Sequence, residues 1–152
     1  MIKTAEKYKI LIVEDDPSML SFWKRFLAEL EISQHSLSTN AQEAKVLLEQ
    51  NKYELIISDI VIPGGNGYEV AAIAKRKNPA IRIILTSAYE IDPKMFNHRK
   101  KQFHILQKPF SDLKELKNLV TSLIKNADVL EEADSDAFVE DSDYPEVIRW
   151  SF

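Results

Sequence analysis

Five short β-rich runs, "YKILIV", "SQHSLS", "YELIIS", "IRIILT" and "FHILQ", alternate along the chain with stretches whose apolar residues recur at three and four. Nothing else in the sequence restricts the fold as much. Five βα units in succession call for parallel strands joined by helical crossovers, and "LIIS" and "IIL" are too continuously apolar for a sheet with one wet face. Right-handed crossovers then make a doubly wound five-stranded α/β sheet with helices on both sides. The first helix reads from Pro17, with Met19, Leu20, Trp23, Phe26 and Leu27 on its stripe, and Asn40 caps "AQEAKVLLEQN". Further helices fit "GYEVAAIAKRKN", "DPKMFNHRKK" and "SDLKELKNLVTSLIKN", the last with Ser111 as cap.

The chain has 152 residues, 45% of them hydrophobic, enough for one domain with a real core and an appendage. It contains no cysteine, which excludes a disulfide framework and a thiolate metal site. The opening "MIKTAEKYK" lacks an apolar stretch before the first strand, and no run approaches the length of a membrane span, so a soluble cytoplasmic protein is expected. From Asn126 onward nine acids face one base, Arg149, whereas residues 1–125 hold nineteen bases and fifteen acids. That break divides a packed domain, 1–125, from an acidic tail, 126–152, and so acidic a tail would be repelled by nucleic-acid phosphates. Its end, "AFVEDSDYPEVIRWSF", interleaves aromatics with acids, as a docking segment would; a solubilising tail is the alternative. If it docks, the basic run "HRKK", His98 to Lys101, is the expected place.

Ligands of doubly wound sheets bind beyond the carboxyl ends of the strands, and the ends of this chain's strands are unusual. "ILIV" runs into Glu14, Asp15 and Asp16, and "LIIS" into Asp59. If Glu14, Asp15 and Asp59 approach within about 5 Å, each pair repels by about 3 kcal/mol at an effective dielectric near 20. Such a cluster requires a cation, or carboxyls that hold their protons. All-oxygen donors suit a hard divalent ion, Mg²⁺ above all. Lys108 follows the fifth strand, and Thr86 and Ser87 close the fourth. Metal, carboxylate nucleophile, ammonium and hydroxyl together are what phosphoryl transfer to an aspartate requires. Asp16, directly before Pro17, reads better as a helix cap than as a further ligand.

"ILIVEDDP", "IISDIVIPGGNG", "TSAY" and "LQKPF", in this order, resemble the receiver domain of two-component response regulators, over roughly Lys9 to Lys125. The resemblance implies a flavodoxin-like (βα)5 fold. It also implies phosphorylation of Asp59 by a histidine kinase or histidine phosphotransfer protein, with Mg²⁺ as cofactor and no enzyme activity beyond that. It makes Asp15 a direct metal ligand and Glu14 a ligand through water, adds the backbone carbonyl of Val61 to the metal shell, and sets Lys108 on a phosphoryl oxygen. Ser87, followed by the small Ala88, fits the switch hydroxyl best, with Thr86 the alternative. Three residues before Lys108, where receivers often carry a rotating aromatic, stands Ile105; Phe103 or Tyr89 would have to substitute.

No output domain is expected in 126–152, so the chain would signal by contact with a downstream protein partner. Two other classes compete. One is a binding module of the same fold that is not phosphorylated. The other is a Mg²⁺-dependent phosphatase of the haloacid-dehalogenase kind, which wants a second aspartate where this chain has Val61.

Overall fold

The computed structural model describes residues 8–89 and 103–126. The expected helix at "DPKMFNHRKK" and the 126–152 tail, with its proposed docking on His98 to Lys101, lie outside the described residues apart from Asn126. In chain order the elements are β1 (Ile10–Val13), α1 (Pro17–Glu29), β2 (His35–Ser38), α2 (Ala41–Gln50), β3 (Leu55–Asp59), β4 (Val61–Ile62), β5 (Gly65–Asn66), α3 (Gly67–Lys77), β6 (Arg82–Ser87), β7 (His104–Gln107) and α4 (Leu113–Asn126). Five strands form one parallel sheet in the order β2-β1-β3-β6-β7. The chain winds outward from β1 to β2, then returns past β1 to β3 and beyond. The order therefore reverses at β1 and β3, whose carboxyl ends flank the crevice.

Both faces of the sheet are covered, which explains the unbroken apolar runs. Leu11, Val13, Ile56, Ile83 and Leu85 share a core with Ala44 and Leu48 of α2 and Val70, Ala71 and Ala74 of α3. The alternate residues Ile10, Ile12, Leu55, Ile57 and Ile84 join Trp23, Phe26 and Leu27 of α1 and Leu116, Val120 and Leu123 of α4. Each fully buried Val, Leu, Ile or Phe among them contributes about 1.5–3 kcal/mol of hydrophobic stabilisation before the entropy of ordering is counted. Among the described residues no helix is long and apolar enough to cross a membrane.

The helix starts follow capping chemistry. Asp16 accepts from the Ser18 amide at 3.1 Å ahead of Pro17, as expected of a cap. Asn40 accepts from the Glu43 amide, and Glu43 reaches back to the Thr39 amide. The cap of α4 is Asp112, not the expected Ser111: its Oδ1 accepts from the Glu115 amide at 3.0 Å, and its carbonyl takes the Leu116 amide. Both residue types cap well, and the helix begins one residue later than the sequence suggested. The hairpin of β4 and β5 was not foreseen, since two-residue strands leave no periodic signal.

This hairpin returns the chain to the end of β3, where Gly67 donates its amide to the Ile60 carbonyl at 2.7 Å. A Cβ on Gly67 would stand 2.4 Å from the carbonyl oxygen of Asp59. Gly67→Ala is therefore expected to displace the backbone of Asp59 and lower stability by about 1–3 kcal/mol, the usual cost of overpacking. An unchanged unfolding midpoint in denaturant would show that α3 yields instead.

Candidate functional site

The sheet ladder continues one residue past several strands, and these extra bonds set the site. Glu14 donates its amide to the Ser38 carbonyl, Ile60 to that of Thr86, and Lys108 to that of Ser87. Alternation does the rest. Glu14 lies in phase with Ile10 and Ile12, Asp59 with Leu55 and Ile57, Thr86 with Ile84, and Lys108 with Leu106, all on the α1/α4 side. Four side chains from four strands thus emerge together at one end of one face.

They meet as a network. Lys108 Nζ donates to Glu14 Oε1 at 2.7 Å and to Asp59 Oδ2 at 3.1 Å. Glu14 Oε2 accepts from the Asp16 amide at 3.2 Å, and Asp59 Oδ1 from the Thr86 hydroxyl at 3.2 Å. Carboxylate oxygens of Glu14, Asp15 and Asp59 all lie within 4.8 Å of one another. Glu14 is buried, Asp59 half-buried and Asp15 exposed. The donor set is entirely oxygen and opens toward solvent at Asp15, so it fits a hard divalent cation that keeps part of its water.

Burial pushes the Glu14 carboxyl above the ordinary glutamate value of 4.5, with the Asp59 charge adding to the rise; the hydrogen bonds from Lys108 and the Asp16 amide only partly oppose it. Burial also works to lower Lys108, but its hydrogen bond to Glu14 and the charge of Asp59 outweigh this and hold it above 10.5. A raised glutamate adds stability below its unfolded pKa and loses it as pH rises through the folded value. In the metal-free protein, ionised Glu14 is therefore a strain that a cation would relieve. Divalent-cation affinity is expected to start falling at pH values still above 4.5, because the proton already competes there. A calorimetric titration of Mg²⁺ against pH checks this; affinity flat down to pH 4.5 would contradict it.

The structure places the sequence-derived candidates unequally. Glu14, Asp15, Asp59 and Lys108 come together as expected. Of the two hydroxyls left open, Thr86 touches Asp59, while Ser87, favoured for the switch, accepts from the Tyr89 amide at 3.0 Å and donates to the Tyr89 carbonyl. The reason is parity: Ser87 is in phase with Ile83 and Leu85, on the opposite face from Asp59. Val61, two residues past Asp59, opens the β4–β5 hairpin with its side chain 59% exposed. Asp16 contributes a cap and a backbone donor to Glu14 rather than a carboxylate to the cluster. Ile105 is half-buried against the α2/α3 core. Phe103 stands edge-on to the buried Tyr68, with ring centroids 5.7 Å apart, and Tyr89 is 69% exposed. The Asp16 amide was not anticipated as a site group, since a backbone donor has no signature in the sequence.

Residues 10–121 match the family profile described as the response regulator receiver domain. The transcriptional regulatory protein MalR of Bacillus subtilis is 34% identical over 66% of this chain and 44% of its own length. The probable transcriptional regulator ycf29 of Pyropia yezoensis is 34% identical over 83% of this chain and 57% of its own length. The chain thus spans about half of these curated relatives. Among solved structures, the signal receiver domain of a LuxO repressor protein from Vibrio parahaemolyticus superposes with a TM-score of 0.70. It covers 84% of this chain and 97% of its own at 23% identity, a likeness of fold. The receiver domain of the sensor histidine kinase PA1611 from Pseudomonas aeruginosa was solved with a magnesium ion coordinated in its active-site cleft. Its TM-score is 0.65 at 22% identity, over 78% of this chain and 98% of that one.

Proposed function

Because the chain belongs to the response regulator receiver domain family, we propose that it accepts a phosphoryl group on Asp59 and passes on the resulting change through protein–protein contacts. The observation that carries this reading is the convergence of Lys108 on Asp59 and Glu14 with three acids clustered within 4.8 Å. The donor is a phosphohistidine of a histidine kinase or phosphotransfer protein. An Asp59 oxygen attacks phosphorus in line, the P–N bond breaks, and its electron pair remains on the imidazole nitrogen. Glu14, Asp15, Asp59 and the Val61 carbonyl would hold Mg²⁺, which when bound offsets the charge gathering on the phosphoryl oxygens.

Each residue has a separate task. Glu14, buried and fixed by the Asp16 amide, keeps the cluster in place. Asp15, exposed, leaves the crevice open to a donor. Lys108 is free to follow the incoming oxygens because an ammonium on a flexible stem re-aims easily. Of the two candidate hydroxyls, that of Thr86 shares the face of Asp59 and would meet the phosphoryl group there, whereas that of Ser87 would have to leave the Tyr89 turn and cross to this face to do so. Incubation with a small phosphodonor and Mg²⁺ followed by intact-mass measurement tests the proposal. One labile phosphoryl group per chain is expected, and none when Mg²⁺ is chelated; an unchanged mass in its presence would refute it.

A further inference from the structure

We infer that the first turn of α2 clamps the β4–β5 hairpin, with Gln42 a positioning residue for the Val61 carbonyl and thereby for the preference of Mg²⁺ over Ca²⁺; the inference rests on the metal site proposed above. The hairpin is poorly built to hold itself. Its strands are two residues each, Val61 facing Asn66 and Ile62 facing Gly65, and so short a pair is marginal alone. Pro63 followed by Gly64 at φ +80° has the pattern of a type II turn, whose twist splays two strands rather than closing them.

The helix supplies what the hairpin lacks. The Ala41 amide donates to the Pro63 carbonyl at 2.9 Å, and Gln42 Nε2 to the Gly64 carbonyl at 3.2 Å. The bare Cα of Gly64 leaves room for this, since a Cβ there would stand 2.1 Å from Gln42 Oε1. One turn along, Lys45 pairs with Glu69 in the first turn of α3, which follows β5 directly. The same stretch is tied to the acidic arm of the site. The Glu14 amide donates to the Ser38 carbonyl at 2.9 Å, and the Ser38 hydroxyl to the Asn40 carbonyl at 2.8 Å. Residues 38–42 therefore span from the strand end that carries Glu14 and Asp15 to the turn of the hairpin that carries Val61. Metal preference follows from that span: Mg²⁺ demands near-octahedral oxygens, whereas the larger Ca²⁺ accepts looser and more variable ones. A carbonyl that drifts costs the smaller ion more.

The test is calorimetric titration of the metal-free protein with Mg²⁺ and, separately, with Ca²⁺, beside an unfolding midpoint measured without metal. Gln42 is exposed, so Gln42→Met, which keeps the chain length and helix propensity but removes the donor, should leave that midpoint unchanged. Its Mg²⁺ affinity should fall about threefold, the worth of a modest hydrogen bond, and its Ca²⁺ affinity much less. The ratio of the two affinities therefore drops. Gln50→Met, exposed at the far end of the same helix, should change neither. An unchanged ratio in Gln42→Met, whether both affinities hold or fall together, would overturn the inference and leave the metal site standing, as would an equal drop in Gln50→Met. A wild-type chain that binds no Mg²⁺ would overturn both.

Discussion

Asp59→Asn is expected to leave the chain folded and to abolish its phosphorylation. The amide has the size of the carboxylate and can serve both neighbours: its carbonyl can accept from Lys108, and its NH₂ can donate to the Thr86 oxygen, which has free lone pairs. The substitution also removes one charge from a group of three within 4.8 Å, where each pair of ionised carboxylates repels by about 3 kcal/mol at an effective dielectric near 20. The metal-free variant should therefore unfold at the same denaturant concentration as the wild type or a higher one. An amide is no nucleophile toward phosphorus, so labelling has no other route at this site. Intact mass and a denaturation curve on the same sample decide the matter. Full labelling of the variant would move the nucleophile elsewhere, and unfolding would show that the ionised pair with Lys108 carries structural weight.

How much of this was legible in the sequence depended on the length of the signal. The five strands were, because apolar runs buried on both faces contrast sharply with their surroundings, and Ile10 to Val13 passing directly into Glu14 and Asp15 shows where the strand ends and the charge begins. Asp59 and Lys108 were visible for the same reason, each two residues past the last apolar residue of a strand. What depends on a single residue of phase was not. Thr86 and Ser87 are adjacent and both hydroxylic, and which of them faces Asp59 follows from the β3–β6 register, a nonlocal property. Ser111 and Asp112 posed the same problem at a helix start. The close approach of Gly67 to the Asp59 carbonyl is a tertiary contact, and "GGNG" offered three glycines without saying which one it needed.

Lys108→Ala should separate the stability of the site from its signalling. In the metal-free protein Lys108 is the cation that spans buried Glu14 and half-buried Asp59, and its removal leaves a buried carboxylate whose remaining donor is the Asp16 amide. Burial already raises Glu14, and losing the ammonium, which opposes that rise, pushes it further. Some of the loss is thereby avoided, because Glu14 can take up a proton instead of standing ionised and unpaired. A metal-free destabilisation of about 2–3 kcal/mol follows, below the full cost of breaking a buried pair. Mg²⁺ should recover most of it, since a cation that binds only the folded state stabilises by mass action and now meets a more negative site. The increment in melting temperature on adding Mg²⁺ should thus be larger for the variant than for the wild type. Phosphorylation should continue, because nucleophile and metal ligands remain, but the phosphoryl oxygens lose a charge-assisted contact to the end of β7. Without that link the state of Asp59 no longer reaches the neighbouring strand, and partner affinity should not rise on phosphorylation. Equal Mg²⁺ increments in the two proteins would contradict the electrostatic role, and a normal phosphorylation-dependent gain in partner affinity would contradict the signalling one.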